Sequence, residues 1–203
     1  MKPAFPQKDY AAIIFDCDGT LTDSMPVHFV AWKRTMDRYG LQFPETQFYA
    51  WGGKPTDKII AELSAAQNVP VDVATAAREK EEAFLELIHL LEPIETVLEV
   101  AAHYRGKIPM AVASGGFRDI IRLQLRQIGC EDWFDAIVAA EDTERHKPFP
   151  DVFLAAAERM GAHPSRCLVY EDSDLGLIAA QAAQMDAIDV RNFHSPKRIS
   201  PVE

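Results

Sequence analysis

Long apolar runs are missing from this chain. No uninterrupted apolar stretch approaches the length that a membrane-spanning helix needs, and the first residues, MKPAFPQKDY, contain no apolar segment of the secretory type. Cysteine is scarce as well. Cys17, Cys130 and Cys167 show neither disulfide nor metal-site spacing and are best interpreted as small buried hydrophobic residues. These absences predict a protein of the reducing cytoplasm.

Positive charge is also in short supply. The chain has 21 Lys and Arg against 31 Asp and Glu, a formal net charge of −10, which disfavours nucleic acids and anionic membranes as partners. A small phosphorylated molecule is not disfavoured, because cations close to a site act locally. The 203 residues, 48% of them apolar and without internal repeats, suffice for one core domain with an insertion. We expect a monomer.

The most informative segment is FDCDGT, residues 15–20, which follows the apolar run 11–14. Side chains two apart in a strand share a face, so Asp16 and Asp18 are expected to point into the same cleft, while Gly19 permits a sharp turn. Two adjacent carboxylates repel each other. The pair therefore predicts a hard cation such as Mg²⁺, with one oxygen left to act as a nucleophile. The alternative is an ordinary strand that ends in an Asp-Gly turn.

A second apolar run, residues 110–113, ends at Ser114 and is followed by Gly115, Gly116 and a helical pattern. The N–H groups at the start of a helix, together with the Ser114 hydroxyl, suit the binding of a phosphate. The alternative is that Ser114 only caps the helix.

Two further patches carry charge at the ends of apolar runs. Lys147 lies in HKPFP, where Pro148 and Pro150 stiffen the loop, which suits an ammonium directed at a phosphate and an acidic pair. Glu171 and Asp172 follow the run CLVY. A solvated lysine and a pair of helix N-caps are the alternatives, but four such strand ends in one chain favour a common site.

The spacing of the apolar runs predicts the architecture. Strands that alternate with helices indicate an α/β, doubly wound, mostly parallel Rossmann-like sheet, in which residues 1–25 and 92–203 form the core and residues 26–91 form a helical cap. The charged run 78–82 is interpreted as a solvated helix face. The predicted elements are the strand that ends at residue 16, helices 27–39, 56–64 and 73–91, strand 107–113, helix 117–128, strand 135–139, helix 151–160, strand 167–170, helix 174–184 and strand 186–190.

An ordered set of polar residues, each at a strand end, resembles the four motifs of the haloacid-dehalogenase-like hydrolases: Asp16, Asp18, Ser114, Lys147, Glu171 and Asp172. The stretch DGTLTDSMPVHFVAWK is similar to the beta-phosphoglucomutase-like branch with a helical cap, and most closely to its fructose-1-phosphate phosphatase-like members. The resemblance covers nearly the whole chain.

This resemblance implies a phosphatase that acts on small phosphosugars. Asp16 is the expected nucleophile and forms an aspartyl-phosphate, while Asp18 is the expected general acid and base. Ser114, Gly115 and Lys147 are expected to bind the phosphate. The expected Mg²⁺ ligands are Asp16, the backbone carbonyl of Asp18, Asp172, and Glu171 either directly or through water.

The expected substrate residues of the cap are His28 and the glycine loop of Gly52, Gly53 and Lys54. His28 has the alternative of being a helix-face histidine with no role. A beta-phosphoglucomutase is the first alternative function. It is disfavoured by Thr20, as in the phosphatases of the branch, and by Pro55, where mutases carry an arginine that clamps a second phosphate.

Two other classes are less favoured. A receiver-type signalling domain shares the doubly wound sheet and the acidic cluster, but it is shorter and has no insert at residues 26–91. A binding protein without catalytic activity is disfavoured because every chemical group of the set is retained.

Overall fold

The computed structural model describes residues 4–52 and 54–197. Contacts divide them into two compact units. We call the first the sheet unit, residues 4–23 with Glu92–Pro196, and the second the helical unit, Ser24–Leu91. Within the described residues, no helix combines the length and the apolar character needed to cross a membrane.

Five strands and eight α-helices make up the two units. In chain order they are β1 Ala12–Phe15, α1 Met25–Arg38, α2 Glu45–Ala50, α3 Thr56–Gln67, α4 Val73–Glu86, α5 Glu95–Tyr104, β2 Met110–Ala113, α6 Arg118–Gln127, β3 Ala136–Val138, α7 Asp151–Arg159, β4 Cys167–Glu171, α8 Asp174–Ala182 and β5 Asp186–Asp189.

The strands form one parallel sheet in the order β3-β2-β1-β4-β5. The central strand β1 pairs with β2 on one side and with β4 on the other, so that Ile14 lies opposite both Ala111 and Val169. The chain places β2 and β3 on one side of β1 and then β4 and β5 on the other side. In such sheets ligands bind at this switch point, between β1 and β4. The predicted α/β, doubly wound parallel fold is confirmed.

The three central strands, β1, β2 and β4, are buried on both faces, which explains why they are apolar up to the polar residues at their carboxyl ends. Ile13 and Phe15 point into a core that includes residues of α5 and α6, whereas Ala12 and Ile14 point into a core shared with α7 and α8. Alternate side chains of a strand face opposite sides, so a strand covered on both sides needs apolar residues at every position.

The helix α5 is absent from the predicted elements. Val97, Val100 and Ala101 have the i, i+3, i+4 spacing of a buried helical face, and all three are fully buried. The short α2 is also absent from them, and it begins directly after Pro44. The predicted helix 73–91 ends early, at Glu86, because the chain tightens into a 3₁₀ turn at Ile88–Leu90.

The helical unit has its own core, built mainly from aromatic and branched side chains between α1, α2 and α3. One charged residue is buried with them. Lys80 is only 3% exposed, because it lies at helical spacing from the buried Ala76, Ala83 and Phe84. The prediction that residues 78–82 form a solvated face is therefore wrong for Lys80, although Arg78 and Glu82 are exposed.

The edge strand β3 is protected by arginines. Arg118 and Arg159 both donate to the carbonyl of Ile137, at 2.8 and 2.7 Å. Asp142 holds them in place, since it accepts hydrogen bonds from Arg118, from Arg159 at 2.8 Å and from the Ala139 N–H at 2.7 Å. The hydrogen bond from Arg159 is the main cause that lowers the pKa of Asp142 to about 2. The cluster ties α6 and α7 to the edge of the sheet.

We predict that Asp142→Asn lowers the free energy of unfolding by about 2 kcal/mol at pH 7, because charged hydrogen bonds are lost. The pKa of the carboxyl is lower in the folded than in the unfolded chain, so its contribution is present above pH ~4 and is lost as pH falls towards ~2. Urea unfolding of both proteins at several pH values should show a difference that shrinks below pH ~4.

Asp132→Asn is the matched control for this prediction. Asp132 also pairs with an arginine, Arg105 at 2.6 Å, but its side chain is 77% exposed. We expect a small effect at every pH. Equal effects of the two substitutions would contradict the structural role of Asp142.

Candidate active site

The predicted polar residues lie at the carboxyl ends of three adjacent strands. Asp16 and Asp18 follow β1, Ser114 follows β2, Glu171 is the last residue of β4, and Asp172 follows it. Because β2, β1 and β4 are neighbours in the sheet, the three ends lie side by side. This is the edge at which a parallel sheet binds its ligands.

Lys147 reaches this edge from the loop between β3 and α7. Its Nζ lies 2.6 Å from Asp16 Oδ1 and 2.7 Å from Glu171 Oε2, and no side chain of this triad is more than 8% exposed. Burial opposes the charge of Lys147, but the two carboxylates outweigh it and raise the pKa of the ammonium. Lys147 therefore stays protonated and bridges the ends of β1 and β4.

The acidic groups exceed this single positive charge. Burial, and then the charges of Glu171, Asp172 and Asp18, raise the pKa of Asp16 well above its usual value, although Lys147 acts in the opposite direction. Burial and the charge of Glu171 likewise raise the pKa of Asp172 to about 8. The cluster favours additional positive charge.

The donor set fits a hard divalent cation. Asp16, Glu171 and Asp172 each offer a carboxylate oxygen, and these oxygens lie within 4.8 Å of one another. Oxygen ligands of this kind suit Mg²⁺. Gly19, in the turn after β1, leaves room for the Asp172 carboxylate. A Cβ on Gly19 would lie 2.1 Å from Asp172 Oδ2, and Gly19 has a φ of +80°.

Glu171 is occupied on both oxygens. Oε1 accepts from the Ser173 N–H at 3.0 Å and from its hydroxyl at 2.7 Å, while Oε2 accepts from Lys147. Gly176 makes this position possible, since a Cβ there would lie 1.9 Å from the Glu171 carboxyl carbon. The residue that caps α8 is Ser173, whose side chain accepts from the Gly176 N–H. The alternative in which the two acids are only N-caps is wrong.

The turn after β2 is shaped by Ser114. Its N–H donates to Val138 O at 3.0 Å, and its Oγ accepts from the Gly116 N–H at 3.0 Å. A Cβ on Gly116 would lie 3.4 Å from Ser114 Oγ and 3.8 Å from Asp18 Oδ2, so this turn borders Asp18. A Cβ on Gly115 would meet no atom within 4 Å. Ser114 does not cap the following helix, because Phe117 occupies that position.

Sequence reasoning missed a buried glutamine beside Asp18. Gln124 is 1% exposed, and its Nε2 donates to Asp18 Oδ1 at 3.0 Å. The hydroxyl of Thr22 donates to Gln124 Oε1 at 2.8 Å. A signal was present, since Gln124 is a polar residue on the apolar face of α6 that also contains Ile121 and Leu125.

The predicted substrate residues of the helical unit have the following surroundings. The His28 ring stacks on Phe84 with 3.9 Å between centroids, and its Nδ1 lies 3.1 Å from the Nζ of the buried Lys80. Lys80 also pairs with Glu81 at 3.1 Å. Lys80 is not among the predicted substrate residues, because a lysine on a helix is usually exposed.

In the glycine loop, Gly52 follows α2, and Gly53 lies outside the described residues. The Lys54 ammonium is 2.6 Å from Glu62 Oε2 and 4.3 Å from the centroid of the Trp51 ring. A lysine paired in this way is less available to clamp a phosphate.

Comparison with known proteins identifies the family. A family model described as haloacid dehalogenase-like hydrolase matches residues 10–184. The chain belongs to the haloacid dehalogenase-like hydrolases. The predicted family is thus confirmed, and the chain is a hydrolase.

Relatives of known description support this assignment. The fructose-1-phosphate phosphatase of Escherichia coli is 42% identical over 183 residues, which cover 90% of this chain and 97% of that protein. A phosphorylated carbohydrates phosphatase of Thermotoga maritima is 29% identical, with coverage of 87% and 83%. Among solved structures, the beta-phosphoglucomutase of Clostridium difficile shares the fold with a TM-score of 0.79 at 22% identity, over 89% of this chain and 84% of that one.

We predict that Gly19→Ala lowers phosphatase activity by at least ~100-fold, because the added Cβ displaces the Asp172 carboxylate and misplaced groups of a site cost this much. The matched control is Gly129→Ala. Gly129 has a similar φ of +76°, but a Cβ there meets nothing within 4 Å. The control should lose about 1 kcal/mol of stability through backbone strain and keep its activity.

The measurements are steady-state phosphate release and the melting temperature of both variants. An active Gly19→Ala protein would show that the close approach of Gly19 to Asp172 is not needed.

Proposed function

We propose that this hydrolase releases inorganic phosphate from small phosphosugars, with fructose 1-phosphate as the first candidate. The observation that carries the proposal is the buried ion pair of Lys147 with Asp16, at the end of the central strand and beside Glu171 and Asp172. It places a carboxylate next to a fixed positive charge, which is what attack on a phosphate monoester requires. The similarity to a fructose-1-phosphate phosphatase supports the substrate class.

The reaction has two steps. An Asp16 oxygen attacks phosphorus, the bond from phosphorus to the sugar oxygen breaks, and the proton of Asp18 passes to that oxygen. Water then attacks the aspartyl-phosphate, and the Asp18 carboxylate accepts its proton. The Asp16 carboxylate and the protonated Asp18 are regenerated and inorganic phosphate is released, so the atoms and charges balance over the cycle.

The remaining residues of the site bind charge. Lys147 and the N–H groups after Ser114 are proposed to hold the phosphate oxygens, with Ser114 and Gly115 nearest to them. Glu171 keeps Lys147 in place through the Oε2 contact of 2.7 Å. Mg²⁺ is proposed to bind Asp16, Asp172 and the carbonyl of Asp18. It supplies positive charge for the phosphate oxygens. Since both Glu171 oxygens are occupied, contact of Glu171 with the cation through water is favoured.

Hydrolysis is favoured over the mutase reaction by the surroundings of Lys54. A mutase must hold a second phosphate, and the position expected for its clamp is Pro55, which precedes α3. The neighbouring Lys54 is paired with Glu62. We propose that His28, Gly52 and Lys54 contact the sugar, and that residues 24–91 act as the cap. The monomeric state and the cytoplasmic location stay predictions.

The proposed function is tested by ³¹P NMR of the purified protein with fructose 1-phosphate and, separately, with beta-glucose 1-phosphate. Inorganic phosphate should accumulate from the former, and no glucose 6-phosphate should form from the latter. Asp16→Asn should abolish both signals while keeping the fold, because the amide has nearly the same volume but is a poor nucleophile. Asp18→Asn should also stop steady-state turnover.

Two results would contradict the proposal. A glucose 6-phosphate signal well ahead of inorganic phosphate would show a mutase, and full activity of Asp16→Asn would exclude the covalent step. Asp189→Asn is the control, since Asp189 ends the neighbouring strand β5 but pairs with Arg191 at 2.8 Å. Its turnover should be unchanged.

We further predict that EDTA stops the reaction and that Mg²⁺ restores it, while Ca²⁺ supports it poorly because its coordination is larger and looser. Binding is checked without turnover. Mg²⁺ at ~100 times its dissociation constant should stabilise the folded protein by about 2.7 kcal/mol in a thermal shift assay. This shift should vanish in Asp172→Asn and persist in Asp189→Asn. Activity indifferent to chelator would exclude the acidic cluster as a cation site.

A further inference from the structure

A chain of three side chains connects α6 to the predicted acid and base. Thr22 Oγ1 lies 2.8 Å from Gln124 Oε1, and Gln124 Nε2 lies 3.0 Å from Asp18 Oδ1. Thr22 is fully buried and Gln124 is 1% exposed. All three residues belong to the sheet unit. The arrangement joins two elements that are 106 positions apart in the sequence.

Chemistry fixes the direction of the Gln124 amide. The ionised Asp18 only accepts hydrogen bonds, so the NH₂ group faces Asp18 Oδ1 and the amide oxygen faces Thr22. The same direction suits the acid form with its proton on Oδ2, because Oδ1 then still accepts. Thr22 Oγ1 also lies 3.1 Å from Cys17 O, but the Gln124 oxygen is the nearer acceptor. Thr22 is in turn held by a bridge to Pro93, where the chain returns to the sheet unit.

Packing alone does not call for an amide at this position. Its neighbours Ile121 and Leu125 are fully buried and apolar, and a leucine or methionine would fill the space without a polar group to satisfy. A role that explains the buried amide is to hold the Asp18 carboxylate in one orientation through the hydrogen bond from Gln124 Nε2.

We infer that Gln124 is a positioning residue for Asp18. It aims the carboxyl group at the leaving oxygen of the substrate and, afterwards, at the attacking water. This inference rests on the proposed function and adds a residue to it. It predicts that the loss of Gln124 harms those substrates whose leaving group needs a proton and spares those whose leaving group does not.

The test compares kcat/KM of Gln124→Met for three compounds. The sugar alkoxide leaving fructose 1-phosphate needs a proton, whereas p-nitrophenolate and acetate, which leave p-nitrophenyl phosphate and acetyl phosphate, are stable anions. We expect kcat/KM to fall ~30-fold for fructose 1-phosphate and less than ~3-fold for the other two, as part of the 10²–10⁴-fold typical of general acid catalysis. Because kcat/KM reports the first irreversible step, the later attack of water does not enter.

Two control variants separate positioning from stability. Leu125→Val removes a methylene from the neighbouring core position of α6 and should lower the melting temperature without changing the ratio between substrates. Gln127→Met makes the same chemical change at an exposed position of α6 and should leave the ratio between substrates unchanged. Gln124→Leu is a second test variant. It fills the space without a polar group and loses the donor to Asp18, so it should show the same selective loss.

Each outcome decides the inference. A selective loss for fructose 1-phosphate in Gln124→Met or Gln124→Leu supports it, and equal losses for all three compounds, or none, overturn it. If the unmodified protein releases phosphate from no phosphosugar, the proposed function itself fails. An active unmodified protein with unselective variants overturns only the role of Gln124.

Discussion

The buried ion pair between Lys147 and Asp16 is the interaction on which the site depends. Asp16 and Glu171 are 5% and 1% exposed, and a buried carboxylate without a partner is costly. Lys147 offsets part of this cost for both groups at once, from a loop that begins beyond the edge strand β3. The arginine cluster at Asp142 serves the same end, since it ties β3 to α7, the elements on either side of that loop. Pro148 and Pro150 restrict the backbone of the loop itself.

Close approach of the backbone is the second constraint. Among the glycines of the described residues, Gly19 and Gly176 are those where a Cβ would overlap a carboxylate, that of Asp172 and that of Glu171 respectively. Both lie at the carboxyl edge of the sheet, Gly19 in the turn that follows β1 and Gly176 in the first turn of α8. The acidic cluster can be this compact only because the backbone carries no side chain at these two points.

The sequence predicts the sheet and the polar residues at its strand ends well. It predicts the buried polar residues of the helices poorly, for physical reasons. Continuous apolar runs that end in polar residues identify a strand and its functional end together, as for Asp16 and Ser114. Lys80 and Gln124 instead lie on apolar helix faces, where one polar residue gives no hint of its partner. Gln124 contacts a residue 106 positions away, and such a contact follows only from the packing of α6 on the sheet.

The repulsion among the buried acids of the cluster has two consequences, one for the stability of the fold and one for the proposed reaction. Burial and mutual repulsion raise the pKa of Asp16, so the carboxylate needed as a nucleophile is disfavoured when the acids stand alone. Positive charge close to Asp172 and Asp16 reverses this, because it stabilises the ionised forms of both. The excess of acid that costs stability therefore also favours the binding of a cation. In the proposed reaction that positive charge would be in place when negative charge builds up on the transferred phosphate. Lys147 alone does not supply enough positive charge for both tasks, because it is one charge among the carboxylates of Asp16, Asp18, Glu171 and Asp172. Its contacts with Asp16 and Glu171 leave one N–H donor for a phosphate oxygen.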